Sequence, residues 1–171
     1  MQVRIAVGAD AEAVERIRVR GWQTAYRHVF PAEELDRLRL DSSRWQRQIE
    51  LLPFGWTIFV AEDEHRVVVG FVAVGPSRDG TRGGELYAIY VDPDRWSSGV
   101  GRALIKQAEI RLADDYDEAT LWVLADNARA QRFYERAGWK PDGESKLEER
   151  LGVAAREVRY YKRLRSSTSR S

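Results

Sequence analysis

Apolar and polar positions change period along this chain, and each change marks an element. Gln2 to Val7 alternate as a strand does. Asp10 then stands where an N-cap belongs, before a helical spacing of Ala13, Val14, Ile17, Val19 and Trp22 that ends near Tyr26. Pro31 opens a short helical stretch around Leu35 and Leu38, and Asp41 or Ser42 caps a third helix through Trp45, Ile49 and Leu52. From Thr57 the period becomes that of strands. Thr57 to Glu62 and Val67 to Val74 are apolar or β-branched runs around the polar tetrad Asp63, Glu64, His65 and Arg66, which predicts an antiparallel hairpin.

A Gly-rich loop, Pro76 to Gly84, leads into a further strand from Glu85 to Val91. Val100, Ala103, Leu104, Ala108 and Leu112 then return to helical spacing, Ala119 to Leu124 to that of a strand, and Ala128 to Ala137 to a helix stopped by Gly138. Glu157 to Leu164 alternate as a last strand. The order β-α-α-α, hairpin, β-α-β-α-β predicts one mixed α/β (α+β) domain over residues 1–164 with helices packed on a sheet. The Ser- and Arg-rich stretch 165–171 has no apolar anchor and is expected to be disordered.

Composition narrows the classes. A chain of 171 residues with 43% hydrophobic and 11% aromatic residues is long enough for one full core. Its 28 Lys and Arg against 27 Asp and Glu leave a net charge of +1, which gives no footprint for nucleic acid or a membrane surface. Without cysteine there is no disulfide, thiolate metal site or cysteine nucleophile. No signal-peptide pattern and no run long enough to span a bilayer stand out, so a soluble, cytoplasmic protein is expected.

The chemistry concentrates between Val91 and Arg102. Pro93 stops the strand ladder, and Ser97, Ser98, Gly99 and Gly101 bring a loop into a helix. A helix start of small residues offers free backbone N–H groups and the positive end of the helix dipole, which is how an anion site is built. Arg95 and Arg102 can add charge-assisted hydrogen bonds. A dinucleotide fingerprint would need a glycine where Leu104 stands, and a nucleoside-triphosphate loop would need Gly-Lys-Ser/Thr. By itself Gly-x-Gly is also compatible with a tight turn and a capped helix.

The segment resembles the acetyl-coenzyme-A signature Gln/Arg-x-x-Gly-x-Gly/Ala of the GNAT (Gcn5-related N-acetyltransferase) superfamily. Gly99 and Gly101 match, while Trp96 replaces the first side chain and moves the expected grip to backbone amides. The block Asn127-Ala-Arg-Ala-Gln-Arg-Phe-Tyr-Glu-Arg-Ala-Gly-Trp is similar to the family's later motif Asn-x-x-Ala-x-x-Phe-Tyr-x-x-x-Gly-Phe. With the element order, the resemblance covers about Val3 to Leu164. It extends to a bacterial subgroup through Trp22-Gln-Thr-Ala-Tyr-Arg.

The resemblance implies a mostly antiparallel sheet with a splayed central strand pair holding acyl-CoA. It implies that the backbone of Ile89, Tyr90 and Val91 pairs with pantetheine amides, that Trp96, Ser97, Ser98, Gly99, Val100, Gly101 and Arg102 surround the diphosphate, and that Asn127 serves as cap and coenzyme contact. An amine would attack the thioester directly, without a covalent enzyme intermediate. Tyr134 matches the family's acid for the departing thiolate, and Glu85 stands where many relatives carry a base. Trp22, Tyr26 and Tyr87 would line the acceptor side, with Glu33 and Glu34 as a negative rim. Tyr134 packing against the sheet, Glu85 as a solvated strand-end carboxylate and the aromatic stripe as core remain alternatives. His28 and His65 lack metal-ligand spacing, and the clusters Asp114 to Glu118 and Lys146 to Arg150 read as solvated turns and faces. The implied partners are acetyl-CoA and an amine acceptor, no metal is implied, and a homodimer is left open. The competing reading is a non-catalytic acyl-CoA-binding regulatory module.

Overall fold

A computed structural model of the chain describes residues 1–165. Beyond Arg165, which donates to the Asp114 carbonyl, the expectation of a disordered tail lies outside the described residues. The elements are β1 (Gln2–Ile5), α1 (Ala11–Ala25), α2 (Ala32–Asp36), α3 (Ser43–Glu50), β2 (Thr57–Glu62), β3 (Val68–Pro76), β4 (Gly84–Val91), α4 (Val100–Asp115), β5 (Glu118–Leu124), α5 (Ala128–Arg136), β6 (Lys140–Arg150) and β7 (Val153–Arg163). They form one seven-stranded sheet in the order β1-β2-β3-β4-β5-β7-β6. Every pairing is antiparallel except β4 with β5.

Helices cover both sheet faces, which is why β2 and β3 read as unbroken apolar runs and are buried along nearly their whole length. On one face α4 contributes Val100, Leu104, Ile105, Ala108 and Leu112 to a core shared with Leu86, Leu121, Val123 and Trp139. On the other, Val14 and Ile17 of α1 and Trp45 and Ile49 of α3 pack on Ile58, Val60 and Phe71. A smaller cluster of Phe30, Leu35, Leu124 and Ala155 closes the end below α2.

Two readings of the sequence need correction. The charged stretch Lys146 to Arg150 is not a set of solvated turns; it belongs to β6, an edge strand hydrogen-bonded to β7. Its only large apolar residue, Leu147, is exposed, so no alternation of apolar side chains betrays the strand. The signal lies in the turn. Leu151 and Gly152, both at positive φ, join the paired residues Arg150 and Val153 as a two-residue hairpin loop. Asp10 makes no side-chain cap to α1. Its carboxylate instead accepts from the Val7 N–H and from both terminal nitrogens of Arg4, which also reaches Glu62. Asp41, by contrast, accepts from the N–H and hydroxyl of Ser43 at the start of α3.

The feature that positions the site is the β4–β5 junction. Only Gly84, Glu85 and Leu86 pair with Ala119, Thr120 and Leu121, although β4 continues to Val91 and β5 to Leu124. Beyond Leu86 the facing backbones of the two strands have no ladder partner in each other. Tyr87 is the extra residue of a bulge, since Ala88 pairs with Ala73 and Leu86 with Val74. The bulge bends β4 where the strands part.

Candidate active site

A cavity of about 860 Å³ opens in this gap. Its walls are Leu86 to Val91 of β4 and Trp122 to Leu124 of β5. Leu86 and Ile89 belong with the α4 side of the sheet, whereas Tyr87, Ala88 and Tyr90 pack on the α1 side. Side chains of both faces line one space, so the cavity passes through the sheet. Unpaired strand edges on either side suit an extended ligand with amide groups, which can occupy the place of a missing strand.

At the α4 end the cavity reaches the helix start. Gly99 is the N-cap, with φ of 91°, in the left-handed region that glycine adopts without penalty. Ser97 shares that region with φ of 63°. The first intrahelical bond runs from Ala103 N–H to the Gly99 carbonyl, which leaves the N–H groups of Val100, Gly101 and Arg102 to a ligand. Gly101 has a second reason to be glycine: a Cβ there would lie 3.2 Å from Cε2 of Phe133, so its absence lets α4 approach α5. Trp96, Ser97, Gly99, Gly101 and Arg102 line the cavity. Ser98 and Val100 do not; the Ser98 hydroxyl donates to the Arg95 carbonyl, and Val100 is buried in the core.

The charges at this end differ from the expectation. Arg95 is engaged by Asp63 at 2.8 Å. The free guanidinium groups come instead from α5, where Arg129, Arg132 and Arg136 stand at i, i+3 and i+7 on one helix face and all line the cavity. No ion pair among the described residues engages them or Arg102. Trp96 fills the signature's first position in an unforeseen way. Its indole N–H donates to the Val91 carbonyl at 2.9 Å, and its ring carries the Arg129 guanidinium 3.5 Å from the centroid.

Tyr134 is buried and lines the cavity, while none of the described hydrogen bonds engages its hydroxyl. Burial, followed by the nearby Tyr90, pushes its pKa well above the ordinary phenol value, so the proton stays on at neutral pH. Asn127 caps α5 by accepting from Ala130 N–H, and its amide nitrogen donates to the Tyr26 hydroxyl. Trp22 donates to the Tyr90 hydroxyl at 2.7 Å and stacks with Phe30. Trp22 and Tyr26 therefore form a fixed aromatic wall of the cavity.

Glu85 is drawn away from the cavity. It is 1% exposed, and its carboxylate accepts from the backbone N–H, Nε and Nη2 of Arg78. Arg78, not Glu85, meets the cavity. Tyr87 lines it and donates to the Pro76 carbonyl. Glu33 and Glu34 pair with Arg37 on the surface and do not reach it. Besides Arg129, Arg132 and Arg136, lining residues that sequence reading did not foresee include Arg78, Trp122, Lys146, Glu148, Arg150 and Glu157. For Lys146, Glu148 and Arg150 the available signal was their spacing of two, which puts them on one face of β6.

Known proteins share this fold. The acetyltransferase (GNAT) family matches residues 17–139. The uncharacterized N-acetyltransferase YuaI of Bacillus subtilis is 34% identical over 131 residues, covering 73% of this chain and 72% of that protein. A mycothiol acetyltransferase of Saccharopolyspora erythraea is 33% identical over 139 residues; these span 79% of this chain but only 43% of that protein. Among solved structures, the PaiA N-acetyltransferase of Thermoplasma acidophilum in complex with coenzyme A has a TM-score of 0.74 at 17% identity, covering 95% of this chain and 98% of its own. YncA of Salmonella typhimurium, with its cofactor acetyl-CoA, has a TM-score of 0.74 at 19% identity, over 98% of this chain and 96% of its own. With most of its length matched by the family, the chain belongs to the GNAT acetyltransferases and is an acyltransferase.

Proposed function

We propose that this acetyltransferase moves an acetyl group from acetyl-CoA to a primary amine by direct attack. The observation that carries the reading is the gap between β4 and β5, whose cavity is lined both by the α4 helix start and by Tyr134. The pantetheine amides pair along the Ile89–Val91 edge, at the backbone of Ile89 and the N–H of Val91, since Tyr90 pairs with Phe71 and Trp96 takes the Val91 carbonyl. The diphosphate lies on the N–H groups of the α4 first turn, with Arg102 and Arg129 beside it. The PaiA and YncA structures, which hold coenzyme A and acetyl-CoA in the same fold, support this choice of donor.

In the transfer, the amine nitrogen bonds to the thioester carbon as the carbon–sulfur bond breaks. The sulfur takes the proton of Tyr134, whose raised pKa keeps it a donor, and the proton that the nitrogen sheds on becoming an amide returns through water to restore the Tyr134 hydroxyl. The attacking amine must itself be neutral, which costs about 4.6 kcal/mol at pH 7 for an ordinary alkylammonium. With Glu85 saturated by Arg78, we assign that proton to water in the open cavity and not to Glu85. Glu85 becomes a positioning residue that holds Arg78.

Calorimetric titration with acetyl-CoA, paired with a thiol-release assay on a panel of amines, tests the reading. Binding and amine-dependent thiol release are expected, and Gly99→Glu should abolish both by setting a carboxylate at the diphosphate site. Normal coenzyme affinity in that variant would overturn the assignment. Tight coenzyme binding without thiol release from any amine would favour a binding module.

A further inference from the structure

Three cations meet the cavity on the α1 side of the sheet, and each lies over an aromatic ring. The Arg78 guanidinium is 4.6 Å from the Tyr87 centroid, Lys146 Nζ is 4.5 Å from that of Trp122, and the Arg150 guanidinium is 6.0 Å from that of Trp22. All six residues line the cavity. Trp122 alternates with Leu121 and Val123, which face α4, so this group occupies the opposite face from the diphosphate site.

The carboxylates that hold these cations are more deeply buried than the cations, although Glu157 also meets the cavity. Glu85 and Glu157 have side chains 1% and 7% exposed, while their partners Arg78, Arg150 and Lys146 are 56%, 40% and 34% exposed. Buried anions fix the cations in place, and with Arg78, Lys146 and Arg150 lining this side against Glu148 and Glu157, the balance of charge presented to the cavity is positive. Glu148, 3.2 Å from Lys146, is the one half-exposed carboxylate in the lining. The aromatic faces that would otherwise attract a cationic ligand are already covered by the protein's own cations.

Resting on the acetyl-transfer reading above, we propose that the acceptor is an amine that also carries an anionic group, a carboxylate or a phosphate, held by Lys146, Arg150 and Arg78. The anion binds by charge-assisted hydrogen bonds on the β6 side, and the amine is directed toward β4. Polyamines and other polycations are rejected, because they would set like charges against these three side chains.

The test uses the full chain loaded with coenzyme A and matched probes that differ only in the anion. The pairs are alanine with alaninamide and 2-aminoethyl phosphate with ethanolamine; spermidine is the polycation. Calorimetry or saturation-transfer NMR reads binding without requiring turnover. The anionic member of at least one pair should bind ten-fold or more tightly than its neutral partner. Lys146→Gln with Arg150→Gln should erase that difference and leave coenzyme affinity within two-fold. The two pairs separate carboxylate from phosphate recognition. Equal binding within both pairs, tighter binding of spermidine, or an anion preference that survives the double substitution would overturn the proposal. Thiol release measured on the same samples reports separately on transfer. Anion-selective binding without thiol release would remove the transfer reading while the recognition stands.

Discussion

The Arg129 guanidinium lies 3.5 Å from the centroid of the Trp96 ring, although the two residues come from different elements. Trp96 is itself pinned to the Val91 carbonyl, so a side chain that cannot grip phosphate holds one that can. Arg129→Ala should weaken coenzyme A binding about ten-fold, equivalent to about 1.4 kcal/mol. Its salt dependence should become shallower as well. Trp96→Ala should weaken binding in the same direction by releasing the platform. Titrations at several salt concentrations check both, and unchanged affinity in Arg129→Ala would return the grip to backbone amides alone.

On the proposed mechanism, Tyr134→Phe removes the proton donor and leaves the packing of the ring. The turnover number should fall about 10²–10⁴-fold. Coenzyme A affinity should change little. Because the hydroxyl's pKa is raised, the wild-type turnover number should hold through pH 10, where an ordinary phenol would be half deprotonated. A turnover profile that declines near pH 9 would contradict a protected donor.

Glu85→Gln separates a base from a positioning residue. If the carboxylate took the amine proton, the substitution would remove an ionisation from the pH profile and depress turnover. The Arg78 pairing predicts instead a rise of about ten-fold in the acceptor KM with turnover within a few-fold. The profile of kcat/KM should rise with pH toward the acceptor amine's own pKa in both proteins.

The Arg4–Asp10 pair makes stability acid-sensitive. Hydrogen bonding to Arg4 is the largest cause holding Asp10 below the ordinary carboxylate range. A lowered native pKa means the stabilisation is complete above the unfolded-state value, near 4, and is lost as pH falls through the native one. Asp10→Asn should reduce stability at pH 7 by about 1–3 kcal/mol. The difference from wild type should shrink as the pH falls below about 4, read by denaturant unfolding at each pH.

What the sequence made legible was local. The Gly99 helix start, the Asn127 cap and the buried runs of β2 and β3 each declare themselves within a dozen residues. The cavity's charges did not, because Arg78, Lys146 and Arg150 acquire their meaning from Glu85, Glu157 and aromatic rings brought in by other elements. Edge strand β6 was hidden for a related reason: with polar residues on both faces it leaves no period to read. Glu85 was placed on the right strand, but its partner lies across a loop that spacing alone does not close.

The short β4–β5 pairing gives this sheet a second pair of edges in its interior. Such edges are reactive surfaces, able to accept any extended chain that fits. On the proposed reading, a coenzyme that fills the seam acts as a structural member as well as a substrate. Its departure after each turnover leaves the two halves of the sheet joined chiefly through the Gly84–Leu86 contact and the helices across it. Protection of the Ile89 and Val91 amides, which face away from β3, against hydrogen exchange should accordingly follow coenzyme occupancy, making the fold's weakest seam a gauge of how often the enzyme stands empty.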